Sequence, residues 1–343
     1  MNKLLERMKL AGTIKESEIL ADSEFFTSKD ITSTEIPILN LACSGEFKGG
    51  LYSGITVLAG LPKSYKTLLA LYCLKAYLNK HKDAVGLIYD SEFSITPEYL
   101  KMYDIDSERI IHVPVTSLEV MKFDIVNRLE AIKRGDDKVF ILVDSMGTMG
   151  SLKEITDSLA EKSTVDMTRS KTIRSIFRMI TPHMTMKDIP CIVIQHVYQT
   201  LDLFSKTVVG GGLGAMYNAN QVFIITRAQD KDDDGIKGYF FTINIDKSRF
   251  VREKSKFPLH ITYDEGIDKW SGLLDIALET GYLIKHKTKP LTYSIKSVTT
   301  ETAGDVKYTE EELTESGVWE ALIDLPEFDK AVSDKYKLQK HEA

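Results

Sequence analysis

Ile55-Thr56-Val57-Leu58-Ala59 runs without a charge into Gly60, a five-residue loop Leu61-Pro62-Lys63-Ser64-Tyr65, the pair Lys66-Thr67 and then Leu68-Leu69-Ala70-Leu71. Few folds accommodate that order. A buried strand delivers a turn at its carboxyl end, and a helix starts from the turn at once. Main-chain N–H groups of the loop and of the first helical turn then converge on one spot, where they and the helix dipole hold an anion. In such an arrangement Lys66 reaches β- and γ-phosphate oxygens and the Thr67 hydroxyl ligates Mg²⁺. Gly60, Lys63, Ser64, Tyr65, Lys66, Thr67 and Leu68 are therefore the candidate nucleotide-binding residues. One position departs from the usual pattern: Tyr65 stands where a glycine would let main chain approach phosphate. A bare Gly-x5-Lys-Thr carries little by itself, so its surroundings must decide.

With 343 residues, 43% hydrophobic and 27% charged, the chain has apolar content for one large or two smaller domains. No apolar run approaches the roughly 20 residues of a spanning helix. The start, Met1-Asn2-Lys3-Leu4-Leu5-Glu6-Arg7, mixes charges where a secretory signal has an apolar core, so a soluble, cytoplasmic protein with no membrane partner is expected. Cys43, Cys73 and Cys191 lie far apart in apolar surroundings and read as core residues. The formal net charge of −6 supplies no global basic field, which argues against a DNA binder, and any nucleic-acid binding must come from a local patch.

Along the chain, residues 1 to about 30 show helical spacing at Leu4, Leu5, Met8 and Leu10, then a polar run ending at Phe25-Phe26. This segment either packs on the main domain or docks on a neighbouring subunit; composition does not choose. Ile36 to Ala42 reads as an apolar segment entering a turn at Gly45 and Gly49-Gly50. Apolar runs then recur at Ile55 to Leu58, Ala84 to Tyr89, Val139 to Val143, Cys191 to Ile194 and Val222 to Thr226. Helical patterns separate most of them, at Thr67 to Leu78, Pro97 to Tyr103, Leu118 to Ile132 and from about Asp166 to Ile180. Continuous apolar strands alternating with helices imply a mostly parallel sheet covered on both faces. From Tyr239 to Asp246 and from Phe257 to Tyr263 the period changes to two, which predicts an antiparallel extension. The expected organisation is an N-terminal segment over 1–35, an α/β core over 36–269 and a small C-terminal module over 270–343, with a boundary near Lys285 to Pro290.

Function in such a sheet concentrates at the carboxyl ends of the strands. One end delivers the loop before Lys66. Another delivers Asp90-Ser91-Glu92, where a carboxylate can polarise the water that attacks a γ-phosphate. A third, Phe140-Ile141-Leu142-Val143-Asp144-Ser145, ends in an acid suited to holding Mg²⁺ through its water shell. A fourth ends in Gln195-His196. Taken singly, Asp144 is a turn residue, Glu92 a loop acid and His196 a structural histidine; as a set behind a phosphate loop they favour an ATP site, although spacing does not settle His196. Two further features exceed what a simple nucleotide-binding enzyme needs. The stretch Gln199 to Gly214 is long and glycine-rich, either a flexible surface loop or a functional one. Arg169, Lys171, Arg174 and Arg178 share one helical pattern, either a solvated stripe or a surface for a phosphate backbone.

These residues together resemble the RecA-type recombinases, and most closely the UvsX branch of T-even-like phages. The resemblance runs from about residue 25 to 285. It is carried by the phosphate loop, Tyr89-Asp90-Ser91-Glu92-Phe93, Leu142-Val143-Asp144-Ser145, Ile194-Gln195-His196, Phe204-Ser205-Lys206-Thr207-Val208-Val209-Gly210-Gly211-Gly212 and Glu253-Lys254-Ser255-Lys256-Phe257. The UvsX branch is also similar in carrying an aromatic at the place of Tyr65. The resemblance implies a RecA-like P-loop ATPase core that uses ATP and Mg²⁺. Glu92 would activate water, Tyr99 would stack on adenine and His196 would couple the γ-phosphate to the glycine-rich loop. Segments 148–166 and 198–216 would be the DNA-binding loops, with Lys171, Arg174 and Arg178 near the phosphate backbone and Phe204, Lys206, Gly210, Gly211 and Gly212 in the second loop. Lys247 and Arg249 match cations that reach the ATP of the next subunit. Implied partners are single-stranded DNA, homologous duplex DNA, further copies of the chain in a head-to-tail helical filament, and single-strand-binding and loader proteins. Many RecA relatives end in a strongly acidic tail, whereas here Glu310-Glu311-Glu312 is followed by an apolar helical pattern and the mixed stretch Lys335 to Lys340, so autoinhibition by such a tail is not expected from these residues. Beyond about residue 285 the match is poor. An ATP-dependent strand-exchange recombinase is the expected function. A hexameric helicase on the same core is the alternative, and a small-molecule phosphotransferase would need neither the glycine run nor the basic helix.

Overall fold

The computed structural model describes residues 2–14, 17–23, 30–160, 168–200, 207–233, 235–295 and 306–338. It divides into two compact units, Met1–Asp30 and Ile31–Ala343. In the first, helix α1 (Lys3–Ala11) is capped by the Asn2 side chain, which accepts the Leu4 N–H at 3.0 Å. No residue of α1 is buried, and Leu4, Leu5, Met8 and Leu10 are exposed.

The second unit opens with a short antiparallel pair, β1 (Ile31–Thr32) and β2 (Leu51–Tyr52), around helix α2 (Pro37–Ser44). All eight residues of α2 are buried and it stops at Gly45, whose φ of 78° is the left-handed C-cap that glycine adopts without strain. The apolar run from Ile36 thus folds as a helix. A run buried on every side, its polar Asn40 and Ser44 included, has no solvent-facing stripe by which to tell helix from extended chain.

The large sheet contains β3 (Gly54–Gly60), β4 (Val85–Asp90), β5 (Ile110–Pro114), β6 (Val139–Asp144), β7 (Pro190–Gln199), β8 (Thr207–Val209), β9 (Gln221–Asp232), β10 (Gly235–Ser248), β11 (Lys256–Thr262) and β12 (Gly266–Ile267). Its order is β12-β11-β10-β9-β3-β7-β6-β4-β5, with β8 attached to β7. The six strands from β9 to β5 are parallel, and β10, β11 and β12 extend the sheet antiparallel, as the change of period predicts.

Helices α3 (Lys66–Lys80), α4 (Pro97–Met102), α5 (Leu118–Ala131), α6 (Leu152–Leu159), α7 (Thr168–Met186) and α8 (Leu213–Asn218) follow the strands. One face of the sheet, with Leu58, Ile88, Phe140, Leu142, Ile192 and Ile194, packs under α2 and α3. The other, with Ile55, Val57, Leu87, Ile141, Val143 and Val193, packs under α5 and α7. Because successive side chains point to opposite faces, burial on both sides requires the unbroken apolar runs seen in the sequence. β5 is the exception. It is an edge strand with both Ile111 and His112 exposed, so it carries no such run and escapes a reading by apolar continuity.

The chain ends in α9 (Leu273–Glu279), the hairpin β13 (Leu283–His286) and β14 (Thr292–Ile295), then α10 (Glu310–Glu315), α11 (Val318–Asp324) and α12 (Pro326–Tyr336). The basic run Lys285 to Pro290 is the end and turn of that hairpin. α12 returns to the core: Phe328 meets Phe47 at 5.5 Å and Tyr336 meets Phe257 at 5.1 Å between ring centroids. All three cysteines are free and buried. Among the described residues no helix is long and apolar enough to cross a membrane.

Candidate active site

The parallel strands place four sequence-distant ends side by side. Gly60 lies opposite His196 in the β3–β7 ladder, and Asp90 lies opposite Asp144 in the β4–β6 ladder. Between β3 and α3 the loop folds tightly. A Cβ at Gly60 would fall 2.6 Å from Ser64 Oγ and 2.8 Å from the Ile225 carbonyl oxygen, so only glycine fits there. Lys63 and Tyr65 both take left-handed conformations, with φ of 60° and 54°. The Tyr65 ring leaves the loop sideways and meets Phe241 of β10 edge-on at 5.1 Å. Tertiary packing thus holds the backbone shape that a glycine would take freely.

Lys66 is buried, and its ammonium donates to the carbonyl oxygens of Gly60 at 3.2 Å and Leu61 at 2.9 Å and to Ser64 Oγ at 3.2 Å. Burial lowers its pKa, opposed by the charges of Glu92 and Asp144. The Thr67 hydroxyl donates to Asp144 Oδ2 at 2.6 Å. Burial raises the Asp144 pKa to about 6, with Glu92 and Asp90 adding to the rise and Thr67 and Lys66 opposing it. Its other oxygen, Oδ1, is buried and has no hydrogen-bond partner. An orphaned carboxylate oxygen beside a threonine hydroxyl is a donor set that suits Mg²⁺, which takes one or two protein oxygens and completes its octahedron with water and phosphate.

Glu92 Oε1 accepts the Ser145 hydroxyl at 2.9 Å, and His196 Nε2 lies 3.6 Å from the same oxygen. Ser91 Oγ donates to the Ser145 carbonyl at 2.7 Å and accepts the Ser145 N–H at 3.0 Å, which ties the ends of β4 and β6 together. Burial lowers the His196 pKa, reinforced by Lys66 and Arg169 and opposed by Glu92, which favours the neutral imidazole. The His196 carbonyl accepts the Gly210 N–H at 2.8 Å. That bond joins the site directly to the glycine turn, where Gly211 and Gly212 have φ of 88° and 75°. Gln195 is buried below this turn with neither side-chain polar atom hydrogen-bonded.

Lys171, Arg174 and Arg178 are exposed on α7, opposite Ile173, Ile176, Phe177 and Ile180, and none makes an ion pair among the described residues. Arg169 differs: its guanidinium donates to the carbonyls of Met149 at 3.1 Å and Gly147 at 2.6 Å, so it holds the start of the first loop. Phe204 and Lys206 lie outside the described residues, as do parts of both loop segments. Lys247 points into its own chain, donating to the carbonyls of Met216, Tyr217 and Ala219 at 2.8–2.9 Å, where it caps α8. Arg249 is exposed.

A cavity of about 590 Å³ covers the loop and is lined by Lys66, Thr67, Glu92, Tyr99, Asp144 and His196 together with Arg227, Tyr239 and Tyr263. The last three are absent from the sequence-based set. Arg227 of β9 donates to the Lys63 carbonyl at 3.0 Å and lies over the Tyr239 ring at 5.1 Å. No local pattern marks them, because only the pairing of β9, β10 and β11 brings them to the loop.

No family model matches the chain. The recombination and repair protein of Enterobacteria phage T4 is 50% identical to it over 287 residues, 84% of this chain and 73% of that protein. The chain belongs to the UvsX-type recombinases of the RecA family. The RecA proteins of Ruegeria pomeroyi and Chlorobium chlorochromatii are more distant, at 23% and 22% identity over 242 residues, 69% of this chain and 67% and 66% of theirs. Membership accounts for the sheet of this recombinase, mostly parallel and flanked by helices. In this chain the aromatic at the loop, Tyr65, is one half of the contact with Phe241.

Proposed function

We propose that this recombinase binds ATP with Mg²⁺ at the β3–α3 loop, assembles head to tail into a helical filament on single-stranded DNA, and pairs that strand with homologous duplex for strand exchange, hydrolysis permitting release. One observation carries the reading: Lys66, the Thr67–Asp144 pair and Glu92 meet at one cavity, and the His196 carbonyl in its wall holds the glycine turn, which packs at Gly211 against Ile173 of α7, the helix whose opposite side exposes Lys171, Arg174 and Arg178.

On this reading Lys66 exchanges the Gly60 and Leu61 carbonyls for phosphate oxygens, while loop and α3 N–H groups cradle the phosphates. Tyr99 stacks on the adenine, with Tyr239 and Tyr263 lining the same cavity. Glu92, oriented by the Ser145 hydroxyl, accepts the proton of the attacking water. Mg²⁺ on Thr67 and Asp144 would neutralise charge developing on the phosphates. His196 senses the γ-phosphate and passes the change to Gly210 through its own main chain. Lys171, Arg174 and Arg178 contact DNA phosphates, which gives affinity that weakens with salt and carries no sequence preference. Lys247 and Arg249 serve the ATP of the next subunit, Lys247 after releasing α8, and the Met1–Asp30 unit docks on that subunit through the exposed apolar side chains of α1. Such an interface does not close, and so builds a filament.

The test is ATPase rate with and without single-stranded DNA, followed by negative-stain imaging of the same sample. DNA-stimulated hydrolysis with open filaments is expected. Closed rings would indicate a helicase, and hydrolysis indifferent to DNA a small-molecule phosphotransferase.

A further inference from the structure

His112 lies on β5, the last strand at one edge of the sheet, with its side chain 42% exposed. A residue so placed has water for a partner. Its ring nevertheless turns inward, with Nε2 3.2 Å from Asp90 Oδ2. Asp90 is completely buried, and its carboxylate accepts the main-chain N–H groups of Glu92 at 3.0 Å, Phe93 at 2.7 Å and Ile95 at 3.1 Å. Those bonds shape the turn after β4. Within it Phe93 takes a left-handed φ of 54°, and Glu92 is presented to the Ser145 hydroxyl. One buried carboxylate therefore fixes the main chain of Glu92, and the only side chain donating to that carboxylate among the described residues is His112.

We propose that His112 is a positioning residue for hydrolysis: through Asp90 it fixes the turn that aims Glu92 at the attacking water. The inference rests on the reading of Glu92 as the group that activates water. Asp90 Oδ1 receives two main-chain donors, whereas Oδ2 receives only Ile95 and His112. Loss of the imidazole leaves Oδ2 with a single donor in a buried setting, where an incompletely bonded carboxylate rotates toward any other donor. The Oδ1 bonds to Glu92 and Phe93 move with it. A displacement of Glu92 by a fraction of an ångström suffices to slow proton acceptance while leaving the phosphate loop untouched. A cavity of about 480 Å³ lined by Asp90, Phe93, Ile95, Leu100, Ile110 and His112 adjoins the pair. Truncating His112 would admit a replacement water, so the informative substitution fills the space without a donor.

The experiment is DNA-stimulated steady-state ATPase of His112→Leu and His112→Gln, normalised to sites that bind a non-hydrolysable ATP analogue. His112→Leu should lower kcat about tenfold with KM for ATP unchanged. His112→Gln, whose amide can take the place of Nε2–H, should keep kcat within about twofold. Should His112→Leu fail to fold, His112→Met, equally unable to donate, takes its place. Wild-type kcat in the donorless variant, a loss confined to KM, or an equal loss in His112→Gln overturns the proposal. Glu92→Gln separates the two levels. If it hydrolyses ATP at the wild-type rate, the reading of Glu92 fails. If it is slow, adding His112→Leu should slow it no further, and an additional tenfold loss overturns the positioning role alone.

Discussion

Replacing Tyr65 by glycine sets two measurable effects against each other. In place, Tyr65 has φ 54° and ψ 28° at the start of α3, and its half-buried ring meets Phe241. Tyr65→Ala removes the ring and keeps the strain. Half of an aromatic side chain's ~200 Å² at ~25 cal/mol/Å² is ~2.5 kcal/mol, and the edge contact adds ~1 kcal/mol. Tyr65→Gly loses the same packing, but it escapes the ~1–2 kcal/mol of a Cβ in the left-handed region. Against that, glycine loses ~0.4–1 kcal/mol more chain entropy on folding. Glycine should therefore be the more stable of the two by ~0.5–1 kcal/mol, the reverse of their order in ordinary structure. At ~2.1 cal/mol/K per residue over 343 residues, the alanine variant should melt ~5 °C below the parent and the glycine variant ~4 °C below. Calorimetry of the nucleotide-free proteins, with urea midpoints as a check, measures both. Because glycine leaves Lys66 and the loop N–H groups in place, its affinity for a non-hydrolysable ATP analogue should stay within about threefold, whereas Lys66→Ala should lose it. A glycine variant less stable than the alanine one would refute the strain argument. One that binds the analogue as poorly as Lys66→Ala would show that the ring belongs to the nucleotide contact and does more than brace the loop.

Two further outcomes are expected. The folded Asp144 carboxyl titrates near 6 against 3.8 in the unfolded chain, so the native state binds that proton more tightly and stability falls as pH rises from about 4 to about 6. Above that range the charged carboxylate costs up to ~3 kcal/mol. Asp144→Asn in EDTA should therefore melt higher than the parent at pH 8 and converge with it near pH 4, while losing Mg²⁺-dependent nucleotide binding; a lower melting point at pH 8 would contradict the burial argument. Lys247→Met should destabilise the nucleotide-free, dilute protein by ~1–2 kcal/mol, because three carbonyls at the end of α8 lose a charged donor. Unchanged melting there would leave Lys247 with a role only across a subunit interface.

Much of the architecture could be read directly. The apolar runs of β3, β4, β6, β7 and β9, the helices between them and the alternation in β10 and β11 follow local rules of period and burial. The tight turn between β3 and α3 and the acid ending β6 were legible for the same reason, since each is written in consecutive residues. β5 was missed because an edge strand half in water has no continuous apolar run, and α2 because a wholly buried segment has no polar face to set a period.

What the sequence alone determined about this protein was which residues could serve a nucleotide and that a two-faced parallel sheet would carry them. The strand order and register decided which of them meet. They set Gly60 beside His196 and Asp90 beside Asp144, brought Arg227, Tyr239 and Tyr263 over the loop, and turned Lys247 onto α8. The same register turned His112 inward onto Asp90. The physical reason is range. Period and turn chemistry act over a few residues, whereas a polar side chain finds its partner through packing between strands tens to hundreds of residues apart, where leaving it unpaired in the core costs more than any local preference.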